Sequence, residues 1–185
     1  MLPINFEENN KLYKDTYRIS TNRANWWNYE WNATYFITIC TKNKENFFGS
    51  IYMDSHENAV VLLSEIGMIA NKYWLEIPKH FPFVVLGSYI IMPNHIHSII
   101  AIHRDVNLEE SAEEYSNNWT PESLGVIINQ YKRACTLNAK KINRNFGWQS
   151  RFYDHIIRNE KAYNKIVEYI DNNPVNWIKD EYYNE

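Results

Sequence analysis

At 185 residues, with 45% hydrophobic and 16% aromatic content, the chain has the size and apolar content of one domain with an ample core. No run of about 18 apolar residues occurs and no hydrophobic stretch follows a basic start, which argues against a membrane span or secretory leader and for the cytoplasm. A net charge of −3 argues against a uniformly basic binder, and Cys40 and Cys135, the two cysteines, read as reduced core residues, not as a disulfide or zinc frame.

In chain order, residues 1–30 show no clean periodicity and read as an arm bearing Arg18, Arg23, Trp26 and Trp27. A single domain over 31–178 and a tail over 179–185 follow. The β-branched and aromatic run 34–40 predicts a first strand, and 47–53 a short strand or edge piece. Residues 59–77 repeat apolar side chains at helical spacing (Val60, Leu63, Ile66, Ile69, Ala70, Trp74, Ile77), which predicts a helix stopped by Pro78. Strands over 84–92 and 95–102 are joined by Pro93-Asn94, a turn short enough to make them a hairpin. The stretch 104–120 is acidic, with five carboxylates between Asp105 and Glu114, and reads as an exposed loop. Pro121-Glu122-Ser123 opens a helix to about Lys141, with Leu124, Ile127, Ile128, Tyr131 and Leu137 as its apolar stripe. A fourth strand over 148–157 precedes a last helix over 160–172, ended by Asn173-Pro174. The first six main elements run strand, helix, strand, strand, helix, strand. That is the split β-α-β plan, an α+β fold of ferredoxin-like type whose antiparallel sheet carries its helices on one face.

The chemistry centres on His95-Ile96-His97, at the start of the third strand. Residues two apart on a strand point the same way, so both imidazoles share a face while Ile96 turns into the packing. Two imidazoles on one face make half of a divalent-metal site. Lys165, Tyr169 and Asn173 recur at a spacing of four, nearly in line on a helix. They offer an ammonium for phosphate, a phenol as nucleophile and an amide oxygen for a metal. The structural alternatives are a core-edge tyrosine, a helix C-cap before proline and an ordinary buried histidine pair.

From 121 to 161, eight cations, among them Lys132, Arg133, Lys140, Lys141, Arg151 and Arg158, stand against three carboxylates. Interleaved with Tyr131, Phe146, Trp148, Phe152 and Tyr153, they describe one of two surfaces. Either they track phosphates while the rings stack bases, or they form a solvated helix face over core aromatics.

As ordered blocks, these residues resemble the HUH single-tyrosine transposases and, within them, the REP-associated tyrosine transposases. The resemblance runs from about Arg18 to Trp177. It rests on Tyr35-Phe36-Ile37-Thr38-Ile39-Cys40-Thr41 with Asn46-Phe47-Phe48-Gly49, on Tyr89-Ile90-Ile91-Met92-Pro93-Asn94-His95-Ile96-His97, and on Leu124-Gly125-Val126-Ile127-Ile128-Asn129-Gln130-Tyr131-Lys132. It continues through Trp148-Gln149-Ser150-Arg151-Phe152-Tyr153-Asp154-His155-Ile156-Ile157-Arg158-Asn159-Glu160 and Tyr169-Ile170-Asp171-Asn172-Asn173-Pro174. It implies that His95, His97 and Asn173 hold Mg²⁺ or Mn²⁺ and that Tyr169 is the nucleophile. The substrate it implies is single-stranded DNA from a hairpin-forming repeat. The reaction it implies is metal-dependent cleavage and strand transfer through a 5′-phosphotyrosine, as in DNA transposition.

On that reading Lys165, Arg151 and Arg158 meet phosphates, and the helix with Lys132, Arg133, Lys140 and Lys141 grips a hairpin stem. The arm with Arg18, Arg23, Trp26 and Trp27 reads a short single-stranded guide, and His155 is structural or faces DNA. The acting species is a monomer or homodimer with no membrane partner. Two rival readings fit the same residues: a metal-dependent nuclease that uses activated water, and a non-catalytic nucleic-acid-binding module.

Overall fold

The computed structural model describes residues 32–104, 123–177 and 182–183. The arm with Arg18, Arg23, Trp26 and Trp27, most of the acidic loop and part of the tail lie outside the described residues. The elements, in order, are β1 (Ala33–Cys40), β2 (Gly49–Met53), β3 (Ala59–Leu63), α1 (Glu65–His80), β4 (Val84–Ile91), β5 (His95–Ile102), α2 (Leu124–Ile142), β6 (Tyr153–Ile157) and α3 (Glu160–Asp171). Strands β4, β5, β1 and β6 lie side by side in that order in one antiparallel sheet. With the separate β2–β3 hairpin set aside, this is the predicted ferredoxin-like α+β arrangement.

Register sorts the side chains. In β1–β5, Tyr35 pairs with Ile100, Ile39 with Ile96, and Thr38 with His97; cross-strand partners share a face. Tyr35, Ile37, Ile39, Ile96, Ile100 and Ile102 therefore form one wall of the core, packed with Trp74 of α1 and Ile127, Ile128 and Tyr131 of α2. Thr38, His95, His97 and Ile99 look the other way. There α3 lies against β4 and β5. Gly87 lets it come close: a Cβ at that position would stand 3.0 Å from Ile99 Cβ and 3.3 Å from the Tyr163 hydroxyl. Helices on one face, as expected, thus describes α1 and α2, while α3 covers the opposite side.

Other local expectations are corrected. Residues 59–63 form β3, not helix. Their apolar spacing fits both periods, but Val60 and Val61 are β-branched and pair with Tyr52 and Ile51. The helix starts after them because the Ser64 hydroxyl caps it, accepting from the Gly67 N–H at 3.0 Å. Pro78 does not stop α1; it sits in the last turn, which closes with Phe81 N–H donating to the Ile77 carbonyl at 2.9 Å. On α2 the predicted stripe includes Leu137, which is 60% exposed, while Cys135 and Ala139 are the buried positions.

The fourth strand is shorter than 148–157. Trp148 makes only an isolated bridge to Thr41. Two carbonyls of the lead-in, those of Gln149 and Arg151, are taken instead by the Lys132 ammonium at 2.8 and 3.0 Å. Lys132 is thereby corrected as a DNA contact. It is 8% exposed and ties α2 to the approach to β6. Burial pushes its pKa down to about 8.

Candidate active site

A two-residue turn launches the histidine strand. Met92 N–H donates to the His95 carbonyl at 2.8 Å, enclosing Pro93-Asn94. The segment after β1 clamps the turn from outside: Thr41 N–H donates to the Asn94 carbonyl at 2.9 Å and Phe48 N–H to the Pro93 carbonyl at 2.8 Å. His95 and His97 emerge on one face, as the alternation predicts, with ring centroids 4.4 Å apart. They are 0% and 1% exposed.

The bonding network fixes the tautomer of His95. The Asn94 amide nitrogen donates to the carbonyls of Lys44 at 2.9 Å and Tyr182 at 2.7 Å. Its oxygen therefore faces His95 Nδ1, 2.9 Å away. An amide oxygen only accepts, so Nδ1 carries the proton and Nε2 presents a lone pair. That Nε2 is buried and has no hydrogen-bond partner.

Asn173, 1% exposed, brings its side chain to His95 and raises that ring's proton affinity. Burial, first, and then His97 and the Lys44 charge outweigh it, holding His95 well below the ordinary imidazole range. Burial alone pushes His97 down to about 3. Both rings are thus neutral at physiological pH. Two lone pairs converge here, an imidazole nitrogen and an amide oxygen, and neither can hydrogen-bond to the other. A cation satisfies both, and the donor set of two nitrogens and an oxygen suits a divalent ion. Among the described residues no group of three or more His, Cys, Asp or Glu side chains converges, so the third protein donor in such a site is an amide, not a carboxylate.

Tyr169 comes from the far side. Its hydroxyl lies 3.1 Å from His97 Nε2, while His97 Nδ1 lies 2.9 Å from the Thr38 hydroxyl. Tyr169 is 44% exposed, so its ring reaches solvent while its oxygen touches the buried pair. In the tautomer that leaves a lone pair on His97 Nε2, that lone pair can take either the phenol proton or an ion, and an ion held there would release the tyrosine hydroxyl. The helix supplies Tyr169 and Lys165, one turn earlier and exposed, on a common side. It does not carry Asn173 in line with them, as the spacing of four suggested. Helix α3 ends at Asp171, and Asn173 N–H closes a tighter turn onto the Ile170 carbonyl at 3.2 Å. That turn buries the amide beside His95.

Arg151 and Arg158 are exposed at the two ends of β6. Arg133, Lys140 and Lys141 are exposed on α2, in the layer across the sheet from the imidazoles. His155 is exposed on the imidazole face, opposite Phe36.

Two site residues had no signal in the sequence reading. Asn43 and Lys44 both adopt left-handed backbone, φ 55° and 56°, a strain of about 1 kcal/mol or more for each non-glycine residue. This turn brings the Lys44 carbonyl onto Asn94 and its charge toward His95. Tyr182 then covers the site. Its ring centroid lies 4.6 Å from that of His95 and 5.8 Å from that of His97, and the Lys44 ammonium stands 4.8 Å over it. Both contacts join segments far apart in the chain, which no local pattern announces.

Comparison with known proteins places these observations. No protein-family model matches the chain. An uncharacterized protein of Haemophilus influenzae is 39% identical over 168 residues, spanning 87% of this chain and 91% of that one. The REP-associated tyrosine transposase of Escherichia coli is 28% identical over 149 residues, 80% of this chain and 70% of its own. A solved structure of a REP-associated tyrosine transposase bound to a REP hairpin superposes with a TM-score of 0.50 at 24% identity, covering 85% of this chain and 73% of that one. It shares the fold. No helix of the described residues is long and apolar enough to cross a membrane.

Proposed function

We propose that the chain, similar in sequence to the REP-associated tyrosine transposase of Escherichia coli and sharing the fold of a solved one, cuts and rejoins single-stranded DNA at hairpin-forming repeats through a tyrosine-linked intermediate. The observation that carries the reading is the Tyr169 hydroxyl, 3.1 Å from a buried imidazole whose neighbour holds an unused lone pair. The Tyr169 oxygen attacks phosphorus in line. An O–P bond to the phenol forms as the bond to the 3′ oxygen breaks, and the electron pair leaves with that oxygen. The phenol gives up its proton and the departing 3′ oxygen takes one up. The 5′ phosphate stays on Tyr169, so the free energy of the phosphodiester is retained. A second 3′-hydroxyl can then reverse the step and join strands without a nucleotide cofactor. Mg²⁺ or Mn²⁺ held by His95, His97 and Asn173 would supply charge withdrawal at the phosphate oxygens.

Lys165, Arg151 and Arg158 offer cations to the strand on the same side of the sheet as Tyr169 or at its margin. Arg133, Lys140 and Lys141, on the other layer, are placed for a duplex stem rather than for the cleaved strand.

The deciding experiment incubates the protein with a single-stranded repeat oligonucleotide and Mn²⁺ or Mg²⁺, then runs a denaturing gel. A covalent protein–DNA species is expected, with the 5′ product on the peptide containing Tyr169, and none from Tyr169→Phe. Cleavage persisting in that variant without adduct means an activated-water nuclease. Binding with no cleavage under any divalent ion means a binding module.

The Tyr182 ring must part from His95 before a phosphate can approach. Ring contacts of this kind are worth about 1 kcal/mol, so Tyr182→Ala is expected to raise the initial rate of adduct formation at subsaturating DNA about fivefold. A slower variant would show that the ring serves the substrate rather than excluding it.

A further inference from the structure

The geometry points to Tyr153 as a stacking platform for the base beside the scissile phosphate. The inference rests on the single-strand reading above and deepens it by naming where that strand lies. Sheet register is the main observation. Thr38 pairs with His97 on one side and with Tyr153 on the other. Tyr153, Thr38 and His97 therefore stand in one row across three strands and on one face, with Tyr153 and His97 two strand spacings apart, about 10 Å.

Thr38 and His97 are buried in this row, and the exposed end of it is the Tyr153 ring. Phe36, on the same face of β1, meets the Tyr153 ring edge-on at 6.4 Å and the Tyr169 ring at 6.0 Å. Since α3 lies over β4 and β5, the β1–β6 half of this face leaves Tyr153 43% exposed and His155 exposed as well. Among the described residues the one aromatic ring against Tyr153 is Phe36, met edge-on, and the Tyr153 hydroxyl bonds to none of them. A large ring in that position contributes little to the core. Planar, and separated from the nucleophile by the Phe36 ring that both contact, it offers a face to the π-face that every base carries. Charge agrees with geometry: Arg151 and Arg158 flank β6, and Lys165 stands one turn from Tyr169, all exposed. A strand entering across β6 thus meets cations along its backbone and a ring beneath a base.

The test uses the full chain with Tyr169→Phe, without divalent ions, and single strands in which 2-aminopurine is moved base by base across the cleavage position. Strong quenching is expected at one position, lost in an added Tyr153→Ala and kept in Tyr153→Phe and Tyr153→Trp. Affinity is expected to fall about tenfold or more in the alanine variant. With an abasic residue at the quenched position, the parent and the alanine variant should bind alike. Quenching that survives Tyr153→Ala, or an affinity loss that persists with the abasic strand, overturns the platform while leaving the cleavage reading intact. Failure of the parent to bind any single strand overturns the cleavage reading itself.

Discussion

A His95→Ala variant is expected to cleave single strands about 10³-fold more slowly, because Lewis-acid assistance at a phosphate is worth several kcal/mol and each 1.4 kcal/mol is about tenfold. His95 is the cleaner of the two histidines to remove. Its bond goes to Asn94, so the contact of Tyr169 with His97 stays in place. In His97→Ala the nucleophile loses its anchor together with the ligand, and the two effects cannot be separated. Folding should be affected little. The substitution deletes packing and the Asn94 bond but also a buried nitrogen without a hydrogen bond, so the unfolding free energy should change by less than about 2 kcal/mol. Adduct formation and calorimetric titration with Mn²⁺ are the paired measurements. Full-rate cleavage in His95→Ala, with no dependence on added ion, would remove the ion from the mechanism.

The neutrality of the pair gives a matching pH expectation. His97 is pushed down to about 3 from an ordinary 6.5, so the folded protein binds this proton less readily than the unfolded chain. The contribution to stability is complete above about 6.5 and is lost as pH falls toward 3.

How much of this was legible depends on whether the information was local. The histidine strand was: Pro93-Asn94 sets the turn, and alternation through Ile96 sets the face. The split β-α-β plan followed from the succession of elements. The assignment failed where two periods overlapped. Val60, Leu63 and Ile66 fit a helix, yet Ser64 divides them between a hairpin strand and a helix start. Leu137 fell at helical spacing but faces solvent, because spacing gives the direction of a side chain and not what lies opposite. The site was half legible. His95, His97 and Tyr169 come together as expected. The amide of Asn173 arrives by a turn that helical spacing does not describe, and Lys44 and Tyr182 arrive through contacts between distant segments. Lys132 shows the limit of reading charge as surface: a lysine among exposed cations points inward, because two carbonyls of a broken strand need a donor.

Lys132→Met is expected to lower stability by about 2 kcal/mol, or about 4–8 °C in Tm. Methionine replaces the stem in volume and removes the burial cost of the charge, which works in the variant's favour. Against this, the Gln149 and Arg151 carbonyls lose their donor. Bonds from a charged group are worth about 1.5–3 kcal/mol each, and both are lost, so the loss should win. Activity should fall too, since the freed segment leads directly into β6 and the Tyr153 row. The pH dependence separates the two opposing effects. Burial pushes the folded pKa of Lys132 down to about 8 from 10.5, so between those values the unfolded chain holds a proton that the folded protein has released. Stability of the parent from this group therefore rises as pH climbs from about 8 toward 10.5, and the methionine variant lacks that rise. The gap between parent and variant in chemical denaturation should widen from pH 7 to pH 10. A gap that narrows would mean that the two carbonyls hold the cation more strongly than burial opposes it, and that Lys132 stays charged throughout.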